Sequence, residues 1–121
     1  MHQLQVALRR IGGIEILKLA GAVEPTSFES LANALNKLLA ENEVAIVLEC
    51  HDVNYIGSIE LKELLDFARQ IRGKGGDIKC VGLAPTIRQV ATLIANGDAM
   101  DCFEDVTSAI AAFHGSAVTA G

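Results

Sequence analysis

The sequence predicts an α/β fold: a single domain with a mixed, mostly parallel sheet of four to five strands, opened by a β-hairpin, and about four helices packed against it. Three observations lead there. Two runs with a two-residue apolar period flank Gly12-Gly13 near the start of the chain. Strand-like runs then alternate with helix-like stretches, the order that builds parallel sheets. The chain has 121 residues, half of them apolar, which suffices for one core and leaves no room for two domains. The domain is expected over residues 1–114, with 115–121 a small, polar, disordered tail.

In the hairpin, Leu4, Val6 and Leu8 alternate with other residues, and Ile14, Ile16, Leu17 and Leu19 follow the glycine pair. Gly21 is expected to end the second strand. Pro25-Thr26-Ser27-Phe28-Glu29 opens a helix, and Thr26 and Glu29 have the spacing of a capping box. Phe28, Leu31, Leu35, Leu38 and Leu39 form its buried stripe, which ends near Glu41-Asn42. Val44 to Leu48 is apolar without alternation, the pattern of a central strand covered on both faces. Gly57-Ser58 precedes a second helix with Leu61, Leu64, Leu65, Ala68 and Ile71 facing inward, stopped by Gly73-Lys74-Gly75-Gly76. Ile78 to Leu83 is the next strand. Pro85 suits the first turn of a third helix carrying Ile87, Val90, Ala91 and Ile94 on one side, with Asn96-Gly97 as its stop. A short extended segment around Cys102-Phe103 leads to a last helix from about Asp105, with Val106, Ile110 and Phe113 facing in.

Composition narrows the function. Net charge is -5 and the basic residues are scattered, which disfavours nucleic acid and anionic membranes as partners. The longest apolar run falls far short of the roughly 20 residues that span a bilayer, and no secretory signal opens the chain. Three cysteines in apolar surroundings read as reduced, buried thiols. These features point to a cytoplasmic protein without membrane insertion.

Chemistry-bearing motifs are scarce. Gly73-Lys74-Gly75-Gly76 ends a helix, whereas a phosphate loop opens one. Cys50-His51-Asp52 places possible metal ligands in a row, but neighbouring strand residues point to opposite faces. Glu60 and Glu63 lie in the first turn of a helix, where acids complement its dipole. No enzyme, cofactor or metal site is expected.

The segment from Val44 through Asp52-Val53-Asn54-Tyr55-Ile56-Gly57-Ser58-Ile59-Glu60-Leu61 resembles the signature of the STAS family: an apolar strand, an Asp-Val pair, an aromatic-apolar pair, then a serine opening a helix. Leu19-Ala-Gly21-Ala-Val23-Glu24 is similar to the turn after the family's second strand, and Val81-Gly-Leu83-Ala-Pro85 with Phe103 to its C-terminal third. Gly57, Ile59 and Glu60 stand where the family carries an acid and small residues. The resemblance implies a signal-transduction role, as an anti-sigma factor antagonist in transcription regulation by partner switching. Its partners would be an anti-sigma factor or serine/threonine protein kinase, with Ser58 at the phospho-acceptor position. The implied contact surface is Glu24, Thr26, Asn54, Tyr55, Gly57, Ser58, Glu60, Lys62, Glu63 and Asp66, on a monomer or weak homodimer. Ser58 has a second reading as a simple helix N-cap. The function likewise has an alternative, a non-phosphorylated scaffold or accessory subunit of a signalling or transport complex.

Overall fold

The computed structural model describes residues 4–95 and 100–120, with side chains at 4–95 and 100–114. Five strands form one sheet in the order of the chain. They are β1 (Leu4–Ile11), β2 (Ile14–Val23), β3 (Ala45–Ile56), β4 (Asp77–Val81) and β5 (Asp101–Phe103). β1 and β2 are antiparallel, and every later pair is parallel. Three helices connect them, α1 (Phe28–Ala40), α2 (Ser58–Gly73) and α3 (Pro85–Ala95), and α4 (Val106–Ala120) follows β5. The expected mixed sheet, opening hairpin and four helices are all present.

The hairpin turns on Gly12 and Gly13, with φ of 55° and 82°, the positive pair that a tight primed turn needs and that side chains resist. β3 occupies the centre of the sheet, as its unbroken apolar run requires. Its alternate residues feed two cores. Ile46, Leu48 and Cys50 join Leu17, Leu19, Ile78 and Cys80 beneath α1, α2 and α3. Val47 joins Ile16, Val81 and Ala109 on the other face, where Val106, Ile110 and Phe113 of α4 close over it. All five stripe residues expected of α1 and of α2 are buried.

Several boundaries differ from expectation. Gly21 does not end β2, which continues to Val23. The peptide after Lys18 steps through irregular pairing with β3 instead, with Gly21 at φ 116°. β3 likewise continues past Leu48 to Ile56, because Ala20–Val23 supplies its last residues with a partner strand. The Thr26–Glu29 capping box does not form. Ser27 is the residue before α1, and its buried hydroxyl donates to Ala22 O at 2.6 Å and accepts from Glu24 N at 3.0 Å. Val90 faces solvent, on the outer side of α3. The Asn96-Gly97 stop lies outside the described residues. α4 extends to Ala120, beyond Gly115, at which the tail is expected to begin.

Beneath α4 a cation is enclosed. Lys79 Nζ lies 2.9 Å from Asp77 Oδ2, 3.4 Å from Asp101 Oδ2 and 4.8 Å from the Phe113 ring centroid. Burial works against the Asp77 charge, but hydrogen bonds from Lys79, Arg72 and the Ile78 N–H outweigh it and hold its pKa below the usual value.

Candidate functional site

The site grows from the carboxyl ends of the two central parallel strands, where open α/β sheets present ligand- and partner-binding loops. β2 and β3 remain paired to their last residues through two register shifts, which end with Ala22 opposite Tyr55 and Val23 opposite Ile56. Just beyond, Gly57 N donates to Val23 O at 2.9 Å. That bond sets the Glu24–Thr26 turn beside the Asn54–Ser58 loop. Ser27 holds the turn from below through Ala22 and Glu24. The sequence reading missed this serine, whose hydroxyl bonds run backward along the chain to Ala22 and Glu24.

Within this ledge Asn54, Tyr55, Ser58, Thr26, Lys62, Glu63 and Asp66 are exposed, and Glu24 is half-buried. Tyr55 retains 53% and Ile59 67% of their surface, a large apolar contribution to an otherwise polar rim. Asp66 is paired along the helix with Arg69 at 2.6 Å.

Two expected site residues behave otherwise. Gly57 is buried, and Glu60 is only 5% exposed, so it is no part of the exposed face of α2. The two facts share one cause. A Cβ on Gly57 would overlap Glu60 Oε1, so the missing side chain makes the space into which the carboxylate folds. Glu60 thereby rests against the amino end of α2, where unpaired N–H groups favour negative charge.

The N-cap reading of Ser58 is also corrected. Gly57 is the N-cap, with φ -65° and ψ 149° and no side-chain cap bond, and Ser58 is the first helical residue. The first intrahelical bond is Leu61 N to Gly57 O, 2.8 Å. The Ser58 hydroxyl therefore stands at the exposed start of the helix without a capping duty.

Cys50, His51 and Asp52 do not converge. Cys50 points into the core, while His51 lies on the opposite face. There His51 Nδ1 meets Glu49 Oε1 at 2.6 Å, and Nε2 meets Glu104 O at 2.9 Å. Among the described residues no cluster of His, Cys, Asp or Glu is arranged to hold a metal ion. No helix among them is long and apolar enough to cross a membrane.

Fold and ledge together define a small α/β domain with exposed side chains on short loops at one end of its sheet. A model described as an STAS domain of the Mlab type matches residues 6–99. The chain belongs to the STAS domain family. Among curated relatives, a putative anti-sigma factor antagonist, BtrV of Bordetella bronchiseptica, is 29% identical over 87 residues, spanning 72% of this chain and 75% of that one. Among solved structures, an anti-sigma factor antagonist from Mycobacterium paratuberculosis superposes with a TM-score of 0.78 at 18% identity, over 90% of this chain and 92% of that one. The Bacillus cell fate determinant SpoIIAA in its phosphorylated form superposes with a TM-score of 0.68 at 16% identity, over 88% and 96%. These likenesses establish the anti-sigma-factor-antagonist-like fold.

Proposed function

We propose that this chain is an anti-sigma factor antagonist-like regulator that acts by binding rather than catalysis, and that its ledge docks on an anti-sigma factor or serine/threonine protein kinase in the cytoplasm. The observation that carries the reading is the exposed Ser58 hydroxyl between exposed Tyr55 and Ile59, beside the Glu24–Thr26 turn. Aromatic and aliphatic side chains displayed on a polar rim are the usual anchors of a protein interface. The relative named an anti-sigma factor antagonist and the phosphorylated SpoIIAA fold support the same role.

In this reading Ser58 is the switch. Phosphorylation brings about -1.5 to -2 charges into a surface that fits a neutral hydroxyl. A loss of ~3 kcal/mol there weakens binding by roughly a hundredfold. Ser58→Asp is expected to abolish partner binding measured by calorimetry, whereas Ser58→Ala keeps it within about threefold. If both variants bind like the unaltered chain, Ser58 is not a switch.

The Glu60 carboxylate favours a second reading, a non-phosphorylated scaffold or accessory subunit. It already occupies the electropositive start of α2 that would otherwise receive a phosphate. Intact-mass measurement after incubation with the partner kinase and ATP separates the two. One added phosphate, mapped to Ser58, supports the switch; an unchanged mass with retained binding supports the scaffold.

A further inference from the structure

Away from the ledge, three cysteines share the inner face of three adjacent strands: Cys50 on β3, Cys80 on β4 and Cys102 on β5. Their surroundings differ sharply. Cys50 is buried among apolar side chains, and that burial pushes its thiol up to about 12. Cys80 is also buried, with its thiol 3.6 Å from Met100 Sδ, and the neighbouring Cys102 and burial together push its pKa well up. Cys102 alone reaches a surface recess of about 190 Å³, walled by Leu83, Arg88, Ala91, Thr92, Met100 and Asp101.

Two features of this recess suit a thiolate. The Cys80 thiol lies next to Cys102 on β4, with Met100 Sδ 3.6 Å from Cys80 Sγ and Met100 O 3.6 Å from Cys102 Sγ. The Arg88 guanidinium shares the recess with Cys102 and places a cation beside it. Together they outweigh partial burial and the nearby Asp101 carboxylate, and lower the Cys102 thiol to about 6. Cys80 and Cys102 are also direct partners in the β4–β5 register. Neighbouring strands run about 4.8 Å apart, inside the Cα separation that a disulfide spans.

We propose that Cys102 is a peroxide-reactive modification site and that Cys80 is its resolving thiol. The Cys102 thiolate attacks one oxygen of hydrogen peroxide, an S–O bond forms as the O–O bond breaks, and hydroxide leaves. Sulfur is oxidised to the sulfenic acid and peroxide is reduced. The Cys80 sulfur then displaces that oxygen, which departs as water with the Cys80 proton, and a Cys80–Cys102 disulfide bridges the two strands. Thiol exchange with a low-molecular-weight thiol restores both cysteines.

The test uses the full chain in two measurements. At pH 7 about nine-tenths of such a thiol is ionised, against roughly 3% of a free cysteine. A low-pKa thiolate is also a weaker nucleophile, so the pH midpoint of alkylation is the decisive readout rather than its rate. Iodoacetamide labelling mapped by peptide should give a Cys102 midpoint near 6 in the native chain, moving up in Arg88→Gln. Hydrogen peroxide should then remove two hydrogens from the intact mass and join the Cys80 and Cys102 peptides. In Cys80→Ala the same treatment should add one oxygen at Cys102 that dimedone captures. A Cys102 midpoint at the ordinary thiol value overturns the proposal. So does oxidation that favours Cys50, or the absence of the Cys80–Cys102 cross-link in the native chain.

Discussion

A Cβ on Gly57 would meet the Glu60 carboxylate, although its φ of -65° is open to any residue. The obstacle is the far end of a flexible side chain, so it can yield. Gly57→Ala is therefore expected to swing Glu60 into solvent at a cost below about 1 kcal/mol in urea unfolding. Glu60→Ala should erase even that difference; a larger cost that persists in the double variant would show that backbone, not Glu60, crowds the site. Most ledge residues were legible because polar side chains on a loop face water. Glu60 was not: a glutamate in a first turn reads as solvated, and only the neighbouring glycine's missing side chain reveals the space that draws it in. Ser58 was legible as a position but not as a cap, since whether a serine stands before or within the first turn depends on the local ψ that only the structure shows.

At the level of elements, β3 is joined to the approach to α4 through a single ring. Both His51 nitrogens face acceptors, the Glu49 carboxylate and the Glu104 carbonyl, so the imidazolium satisfies both and the neutral ring only one. The Glu49 hydrogen bond, opposed by desolvation, raises the His51 pKa above its ordinary value. A raised folded-state pKa means that this contribution to stability is complete below the unfolded value, about 6.5, and is lost as pH rises through the folded value. An NMR titration should place the His51 midpoint above 6.5, and Glu49→Gln should lower it. An unaltered midpoint in that variant would remove Glu49 as the cause. The sequence disclosed the order of all nine elements, because apolar periodicity is a local property. It understated β2 and β3, because Ala22 and Val23 are strand only by pairing with β3, and Asp52–Ile56 only by pairing with β2.

Across the whole molecule the sheet separates a large core under α1, α2 and α3 from a small one under α4. The small core has few residues, and Ile16, Val47 and Val81 are wholly enclosed in it. A chain ending at Glu104 would expose all three, together with the Lys79 stem, and should lose its cooperative thermal transition; a melt as sharp as that of the full chain would show that α4 is dispensable. This division was legible from the unbroken Val44–Leu48 run, which demands cover on both faces, though the run does not say how unequal the two layers are. The two ends of the sheet are unequal as well. β5 closes one side with only three residues, while β1 leaves eight residues of backbone open on the other. A strand that long, with Leu8 and Ile11 exposed, is a template on which a second chain could add and then a third. Arg10 on that border is tied to Glu15 and Glu43, but Arg9 beside it is exposed. Each added copy would therefore bring like charges near its neighbour's, and the growth of a fibre is discouraged at its first step.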